Sequence, residues 1–327
     1  MTLATQSAFR HDITASYRII ENATVTQTVF DKSSMTYQGA VYDPAGALVF
    51  HSLRPGSPVS NYRPDISISR RRDPIPNSLR FDVAIYGGHF FYAWGHFLIE
   101  TLSTAALVDE FPNVPVIFSP YEIVGQNEWT EGYQRHTMPI LRAAGWGERE
   151  IVVSPKPMLV GRLYVPQRLT SFGVASPTVH LAMATVYDRI RSNLARQQSD
   201  ETVVAMRAED HRRWHPSERS IYQALSNRGA LTILPQNMTT EAQVASISRA
   251  RTLIGFTGSV LHNSVFMAKG TQVIEIGDRS DRETADPMQS ELCRICDQKL
   301  VFVPGFDGEP RSADDLLSAI NSSAFVP

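Results

Sequence analysis

Lysine is nearly absent from this chain, occurring only at Lys32, Lys156, Lys269 and Lys299, so almost all basic charge sits on arginine. Arginine's planar fork suits two-point binding of phosphate or carboxylate, although a compositional bias of the genome explains the usage equally well. Cysteine is scarcer still, with Cys293 and Cys296 in a single CRIC. A zinc site needs two more ligands that no second cysteine pair supplies, so the pair reads as two cysteines in a helix, a redox or structural role being the competing reading. No run of about 18 apolar residues exists, and MTLATQSAFRHDITASYRII lacks a signal-peptide core, so no transmembrane segment is expected and the chain is read as cytoplasmic. A net charge of −2 with a pI near 6.5 gives no general attraction to nucleic acid or anionic membrane, so any anion site must be local. No two aspartates are separated by one residue, which removes the D-x-D metal–diphosphate motif. Neither half shows G-x-G-x-x-G after its first strand, which leaves a nicotinamide-dependent oxidoreductase as the weakest competing function.

What is present fits a folded protein. The chain has 327 residues, 43% hydrophobic and 20% charged, enough for two domains of ordinary size or one large α/β domain. Short β-prone runs from Tyr17 to Phe50 suggest a small N-terminal antiparallel β lead-in. The stretch from Arg54 to Arg80, with SRRRDPIP, reads as a long loop, and Arg70, Arg71 and Arg72 as a solvated charge run or a substrate-facing one. Strand and helix patterns then alternate through RFDVAIY, a helix from about Trp94 to Glu110, VPVIF, EIVVS and GRLYVP, as expected of a parallel sheet with crossover helices. After QQSDE, taken as the domain junction, the alternation restarts at TVVAMR, with Ser217 and Thr239 as expected helix caps. The expected organisation is α/β, with a Rossmann-like domain at residues 1–198 carrying the β lead-in. A second Rossmann-like domain follows at 199–310, and a C-terminal helix at 311–327.

In doubly wound sheets ligands bind beyond the carboxyl ends of the strands, so the loops after Met206, Leu234, Phe256 and Ile276 are where chemistry is sought. RAEDHRRWH offers Arg207, Arg212 and Arg213 to a diphosphate, a surface arginine cluster being the alternative. GFTGSVLHN sets Gly258 and Ser259 at an expected helix start, where free N–H groups and the dipole favour phosphate; tight helix–strand packing also explains the glycine. Glu275 in VIEIGD suits a ribose or sugar diol, or else is a buried carboxylate bonded to backbone or arginine. Upstream, GGHFFYAWGHFLIETL puts His96 and Glu100 four residues apart on one helix face. The pair reads as a general base with its orienting carboxylate, or as a satisfied histidine among aromatics; a metal pair would want a second histidine at helical spacing, which is missing.

GHFLIETL, MRAEDHRR and LIGFTGSVLHNSVFMAKGTQVIEIGD, in this order between about Gly87 and Asp278, resemble glycosyltransferase family 61. They match its H-x-x-x-E helix, its arginine-containing strand end, and its G-x-x-G-A-G-L-T-N stretch followed by F-M-P-x-G-T-x-V-I-E. Thr257 stands where the family commonly has histidine, His262 where it has threonine, and no asparagine follows the arginine pair. The resemblance implies a GT-B-like fold, two Rossmann-like domains facing across a cleft, residues 1–198 on the acceptor side and 199–310 holding the donor, with the helix at 311–327 returning to the first domain, and inverting, metal-independent transfer. The co-substrate it implies is a nucleotide-sugar, most often a UDP-sugar, with no cofactor and no metal. It implies a donor site from Arg207, Arg212, Gly258, Ser259, Asn263 and Glu275, with LPQN after Leu234 beside the nucleotide base. The acceptor, a glycan, lipid-linked or protein hydroxyl, would lie near His89, His96 and Glu100, with His96 the expected base and Glu100 the second choice. Capsule-type surface polysaccharide synthesis at the inner face of the membrane, through partners, is the expected setting, and a homo-oligomer is left open. The altered Thr257 and His262 keep a catalytically silent nucleotide-sugar-binding or scaffolding subunit as the competing reading.

Overall fold

A computed structural model of the chain describes residues 17–54, 59–63, 75–124, 131–172, 177–194, 200–207, 209, 214–279, 283–307 and 309–323. The triple arginine and most of QQSDE lie outside the described residues. Contacts divide the chain into two units, neither continuous in sequence. The first comprises Met1–Tyr92, Glu100–Trp129 and Glu148–Leu169; the second comprises Ala93–Ile99, Thr130–Gly147 and Thr170–Pro327.

The first unit is built on β1 (Tyr17–Asp31), β2 (Thr36–Tyr42), β3 (Tyr62–Arg63), β4 (Leu79–Phe90), β5 (Val116–Ile123), β6 (Ile151–Val153) and β7 (Met158–Pro166). Their order is β3-β2-β1-β7-β4-β5-β6, and β1 also pairs with β5, so β1, β7, β4 and β5 close on themselves as a small barrel. β1 runs antiparallel to β7, while β4 is parallel to both β5 and β7. This corrects the expected Rossmann-like first domain with a separate lead-in: β1 is a wall of the barrel. A two-stranded lead-in would be marginal alone, whereas closure removes edges and lets Ala23 and Val25 join Val41, Ala84, Tyr86, Ile117, Met158, Val160, Leu163 and Val165 in one core.

The single helix expected from Trp94 to Glu110 is also two pieces. The α-helix α1 (Trp94–Ile99) stops after six residues, and Thr101–Glu110 winds as a 3-10 helix. Short hydroxyl side chains compete for backbone carbonyls there. Thr101 Oγ1 donates to the His89 carbonyl at 3.1 Å, Ser103 Oγ to that of Glu100 at 2.7 Å, and Thr104 Oγ1 to that of Gly87 at 2.8 Å.

The second unit takes α1 together with α2 (Glu131–Leu141), the ribbon of β8 (Thr170–Phe172) and β9 (Pro177–Val179), and α3 (Met183–Leu194). These pieces of the expected first domain are held by bonds to the rest of the second unit, such as Arg191 Nη1 donating to the Val265 carbonyl at 2.9 Å and the Thr240 hydroxyl donating to the His136 carbonyl of α2. Its centre is an all-parallel sheet of β10 (Glu201–Ala205), β11 (Leu231–Ile233), β12 (Ala250–Phe256), β13 (Gln272–Ile276) and β14 (Lys299–Val303), in the order β11-β10-β12-β13-β14. The crossovers are α4 (Glu218–Asn227), α5 (Thr240–Ile247), a 3-10 helix at Leu261–Phe266 and α6 (Pro287–Ile295). Thr239 caps α5 as expected, but the Ser217 hydroxyl donates instead to the Arg311 carbonyl at 2.8 Å.

The strands are apolar on both faces, as a doubly covered parallel sheet requires. Val204, Ile254, Phe256, Ile274, Ile276 and Val303 pack with Ile221, Tyr222 and Leu225 of α4 and with Leu316, Leu317 and Ile320 of α7 (Ala313–Ser323). Val203, Ala205, Leu253 and Val273 on the opposite face are equally buried. The C-terminal helix therefore does not return to the first domain; its apolar stripe is used on this sheet, and Gln272 Nε2 donates to the Ser323 carbonyl at 2.8 Å. Replacing Leu316 by Ala is expected to cost about 2–5 kcal/mol through the lost contacts and the cavity left behind. Ser318→Ala on the exposed side should stay within about 0.5 kcal/mol. Urea unfolding of both variants checks this, and equal effects would remove α7 from the core.

Candidate functional site

From β10 the chain crosses through α4 to β11 on one side, then returns through α5 to β12 on the other. β10 and β12 thus flank the switch point where parallel sheets hold ligands, beyond the strands' carboxyl ends. Arg207 follows β10, Thr257 follows β12 and Asp278 follows β13. Arg207 is 8% exposed, and its guanidinium donates to Asp278 Oδ2 at 2.9 Å and to the Thr257 carbonyl. It also lies 3.5 Å from Glu218 Oε1 and 5.8 Å from the centroid of the Phe256 ring. Where the sequence suggests a diphosphate clamp, the structure has a buried cross-tie between strand ends. Burial pushes the Glu218 carboxyl up, opposed by hydrogen bonds from Tyr222 and the His215 N–H and by Arg207. Arg212 and Arg213 lie outside the described residues.

Glu275 forms a second tie. It is fully buried, its Oε1 accepting from the Thr257 hydroxyl at 2.6 Å and its two oxygens from the Asp286 N–H at 3.0 and 3.2 Å. Of the two alternatives read from sequence this is the backbone-bonded carboxylate, with no exposed surface for a diol. Thr257 is thereby explained, since its hydroxyl reaches an acid that would otherwise lack this donor.

The helix expected to begin at Gly258 is a six-residue 3-10 helix starting at Leu261. The N–H groups of Leu261 and His262 bond back to the Gly258 and Ser259 carbonyls at 3.0 and 3.2 Å, and so short a helix has little dipole to offer. What gathers at this loop instead is side chains. Trp94 Nε1 donates to Asn263 Oδ1 at 2.8 Å, and Asn263 Nδ2 donates to the Val260 carbonyl at 2.9 Å. A Cβ on Gly95 would fall 2.7 Å from His262 Cδ2 and 2.9 Å from Ser259 Cβ, so only glycine admits α1 this close. His96, half-buried on the next residue of α1, lies near enough to His262 for their charges to interact.

His262 is the residue that sequence reading treated only as a departure from the family pattern. Its Nδ1 lies 2.9 Å from Gln289 Oε1, and Gln289 Nε2 donates to Ser264 Oγ at 3.0 Å and to Cys293 Sγ at 3.3 Å. With the amide nitrogen assigned as donor, Gln289 Oε1 must accept from Nδ1–H, which leaves the lone pair on Nε2. Burial pushes the His262 pKa down, Gln289 and Asp286 oppose this, and the His96 charge adds to the lowering. The result is a neutral imidazole able to accept a proton. The one signal in the sequence was a histidine in the loop after the third strand of this sheet.

In the first unit, Glu100 is held at both oxygens by Arg54, through Nε and Nη2 at 2.7 Å each, and is 1% exposed. Glu100 is thus the counter-ion of Arg54, and α1 ends at Ile99, just before it. Arg54 stacks over Phe91 and Tyr121, with its Cζ 5.1 and 5.6 Å from the ring centroids. His89 is fully buried, with Nδ1 2.6 Å from Arg168 Nη2. A guanidinium only donates, so His89 accepts at Nδ1 and is protonated at Nε2. Burial, then Arg168 and Arg54, hold its pKa well below the usual imidazole range. Among the described residues no three His, Cys, Asp or Glu side chains group as metal ligands. Cys293 and Cys296 are buried free thiols on and just beyond α6, pushed by burial up to about 12 and about 11.

The chain matches the model of the family Glycosyltransferase 61 over residues 94–274, more than half its length, and it belongs to that family. Membership makes it a glycosyltransferase-type protein whose substrates are a donor and an acceptor. The matched span includes α1 and the loop on which Gly95 rests. No curated protein matches the chain. No helix among the described residues is long and apolar enough to cross a membrane.

Buried neutral histidines bind protons only when the chain unfolds, so the stability they contribute is present above about pH 6.5 and is lost as pH falls below it. His89 alone should add a slope of about 1.4 kcal/mol per pH unit there. Urea midpoints measured between about pH 7 and pH 5 should therefore fall, and fall less steeply in His89→Gln; equal slopes would mean that His89 is charged in the fold. A thiol reagent at about pH 8 should modify neither cysteine in the folded protein and both in denaturant.

Proposed function

We propose that the protein is an inverting glycosyltransferase that moves a sugar from a nucleotide-sugar, of the UDP class, to a hydroxyl of a glycan, lipid-linked or protein acceptor. The division of labour is of the GT-B type, donor on the second unit and acceptor on the first, without a metal, in bacterial surface polysaccharide synthesis of the capsule type. The observation that carries this reading is the seating of α1 on the loop after β12, where Gly95 rests on Ser259 and His262 and Trp94 binds Asn263. In this reading, His96, the residue after Gly95, works at the switch-point end of the parallel sheet, where a donor is expected.

Direct displacement needs one base to take the acceptor hydroxyl proton while the diphosphate departs. In this reading His96 is that base, and His262, neutral and fixed by Gln289, is its neighbour. Glu100 acts through Arg54 as a positioning residue, and Arg207 and Glu275 hold the strand ends on which the donor rests. The departing charge is met by the arginine-bearing loop after β10 and by backbone N–H groups around Gly258 and Ser259.

Calorimetric titration with UDP, GDP and NAD, followed by transfer assays, tests the proposal. UDP should bind the wild type. His96→Ala should keep that binding and lose about 10²–10⁴ in turnover. Arg207→Ala should lose both donor binding and about 3–5 kcal/mol of stability, because two carboxylates are left buried. Binding without turnover on any acceptor would favour the silent-subunit reading, and NAD binding in place of UDP would overturn the donor assignment. Full turnover in His96→Ala would move the base to His262.

A further inference from the structure

Among its described residues, the first unit buries a positive charge that no acid neutralises. Arg168, two residues beyond β7, is 7% exposed. Its Nη2 meets only the uncharged Nδ1 of His89 at 2.6 Å, and the Tyr86 hydroxyl interacts with the same guanidinium. Arg168 Nε and Nη1, and His89 Nε2, are buried without a hydrogen-bond partner. Among the described residues no carboxylate pairs with Arg168, and Glu100, the buried acid of this unit, is taken at both oxygens by Arg54. Guanidinium cannot shed its proton, and a buried cation without a counter-charge is costly. Among the described residues nothing supplies that counter-charge.

The surroundings are shaped to hold this group. Gly88 has a φ of +100°, and a Cβ there would lie 2.8 Å from both Cζ and Nη2 of Arg168, so the guanidinium occupies the space of a side chain. The pairing of β4 with β5 shifts register between Tyr86 and Gly88. Three positions apart on a regular strand, Tyr86 and His89 would point to opposite faces; the bulge lets both meet Arg168. The rings of Phe91 and Tyr121 stand edge-on to His89, each 6.0 Å away between centroids, and give the place apolar walls.

We propose that Arg168 and His89 form an anion subsite that takes a carboxylate or phosphate group carried by the acceptor, as on a uronic acid or a sugar phosphate. The placing of this anion on the acceptor rests on the reading of the first unit as the acceptor side. The site itself stands on the unmatched donors. Arg168 retains a little exposed surface, the side from which an anion reaches it.

The test is the thermal unfolding midpoint at constant ionic strength, titrated with glucuronate, glucose 1-phosphate and neutral glucose, chloride serving as the balancing salt. Glucuronate or glucose 1-phosphate should raise the wild-type midpoint by a few degrees near saturation, while glucose should not. Arg168→Gln should abolish the shift, and Arg168→Lys, which keeps the charge but loses the fork, should weaken binding about tenfold or more. Should Arg168→Gln not fold, Arg168→Lys and His89→Gln carry the comparison. A response to glucuronate alone assigns a carboxylate, and one to the sugar phosphate alone assigns a phosphate; both support the site. No shift in the wild type beyond chloride, or an equal shift in Arg168→Gln, overturns it. Because the readout needs no donor, anion binding in a protein that neither binds UDP nor transfers sugar would sink the proposed function and leave the subsite standing.

Discussion

A buried guanidinium has to be surrounded by acceptors, and at the carboxyl end of the parallel sheet that requirement fixes the positions of everything else. Arg207 draws Asp278 from beyond β13, Glu218 from the start of α4 and the Thr257 carbonyl from beyond β12 onto one group. Networks of this kind add little net stability, because desolvating the charges cancels much of their attraction, but any other arrangement leaves a charge unpaired and is strongly disfavoured. The consequence is geometric: three strand ends and one helix start are held in register. Glu275 repeats the device with neutral donors, tying Thr257 to the N-terminus of α6. With both ties in place the direction of the 257–263 loop is no longer free, and that direction decides where α1 can rest.

α1 uses this platform. It is only six residues long and would not be stable as an isolated helix, so its position is set by tertiary contacts. Gly95 supplies the close approach and Trp94 the hydrogen bond, while the Tyr187 hydroxyl donates to the Leu98 carbonyl at 3.2 Å near its other end. The proposed base is thus carried by an element whose address is written in the second unit. Its neighbour in sequence, Glu100, answers to a different demand, the charge of Arg54. A carboxylate that a linear reading assigns to a histidine on its own helix face is here also the counter-ion of a buried arginine.

The same contrast explains what was legible in the sequence. The parallel sheet was, because strands buried on both faces are continuous apolar runs, and runs such as TVVA, TLIGF and QVIEI alternate with amphipathic helices. The barrel was not, because β4, β5 and β7 look the same whether they lie in an open parallel sheet or close through β1. Closure depends on pairings as distant as Tyr17 with Pro166 and Thr28 with Tyr121, which no local pattern encodes. The helix break before Thr101 was hidden for a similar reason, since its hydroxyls matter only once the carbonyls of Gly87 and His89 are beside them. For Arg207 the residue type was read and its burial was not, whereas for Glu275 the buried carboxylate was one of the two readings. An arginine at a strand end looks the same in sequence whether it faces solvent or two carboxylates.

The departures at Thr257 and His262 bear on whether the site is a relic. If the loop had merely drifted, its unusual residues should be poorly accommodated, with polar atoms stranded. Both are instead built in. The Thr257 hydroxyl is the donor to Glu275, and His262 fits against α1 only because residue 95 is glycine. Its tautomer is fixed by Gln289, whose own amide is committed to Ser264 and Cys293. A chain of hydrogen bonds that fixes a neutral imidazole with its lone pair on Nε2 goes beyond what packing alone would require. The altered motif is therefore better understood as a different solution to placing a proton acceptor beside α1 than as the loss of one.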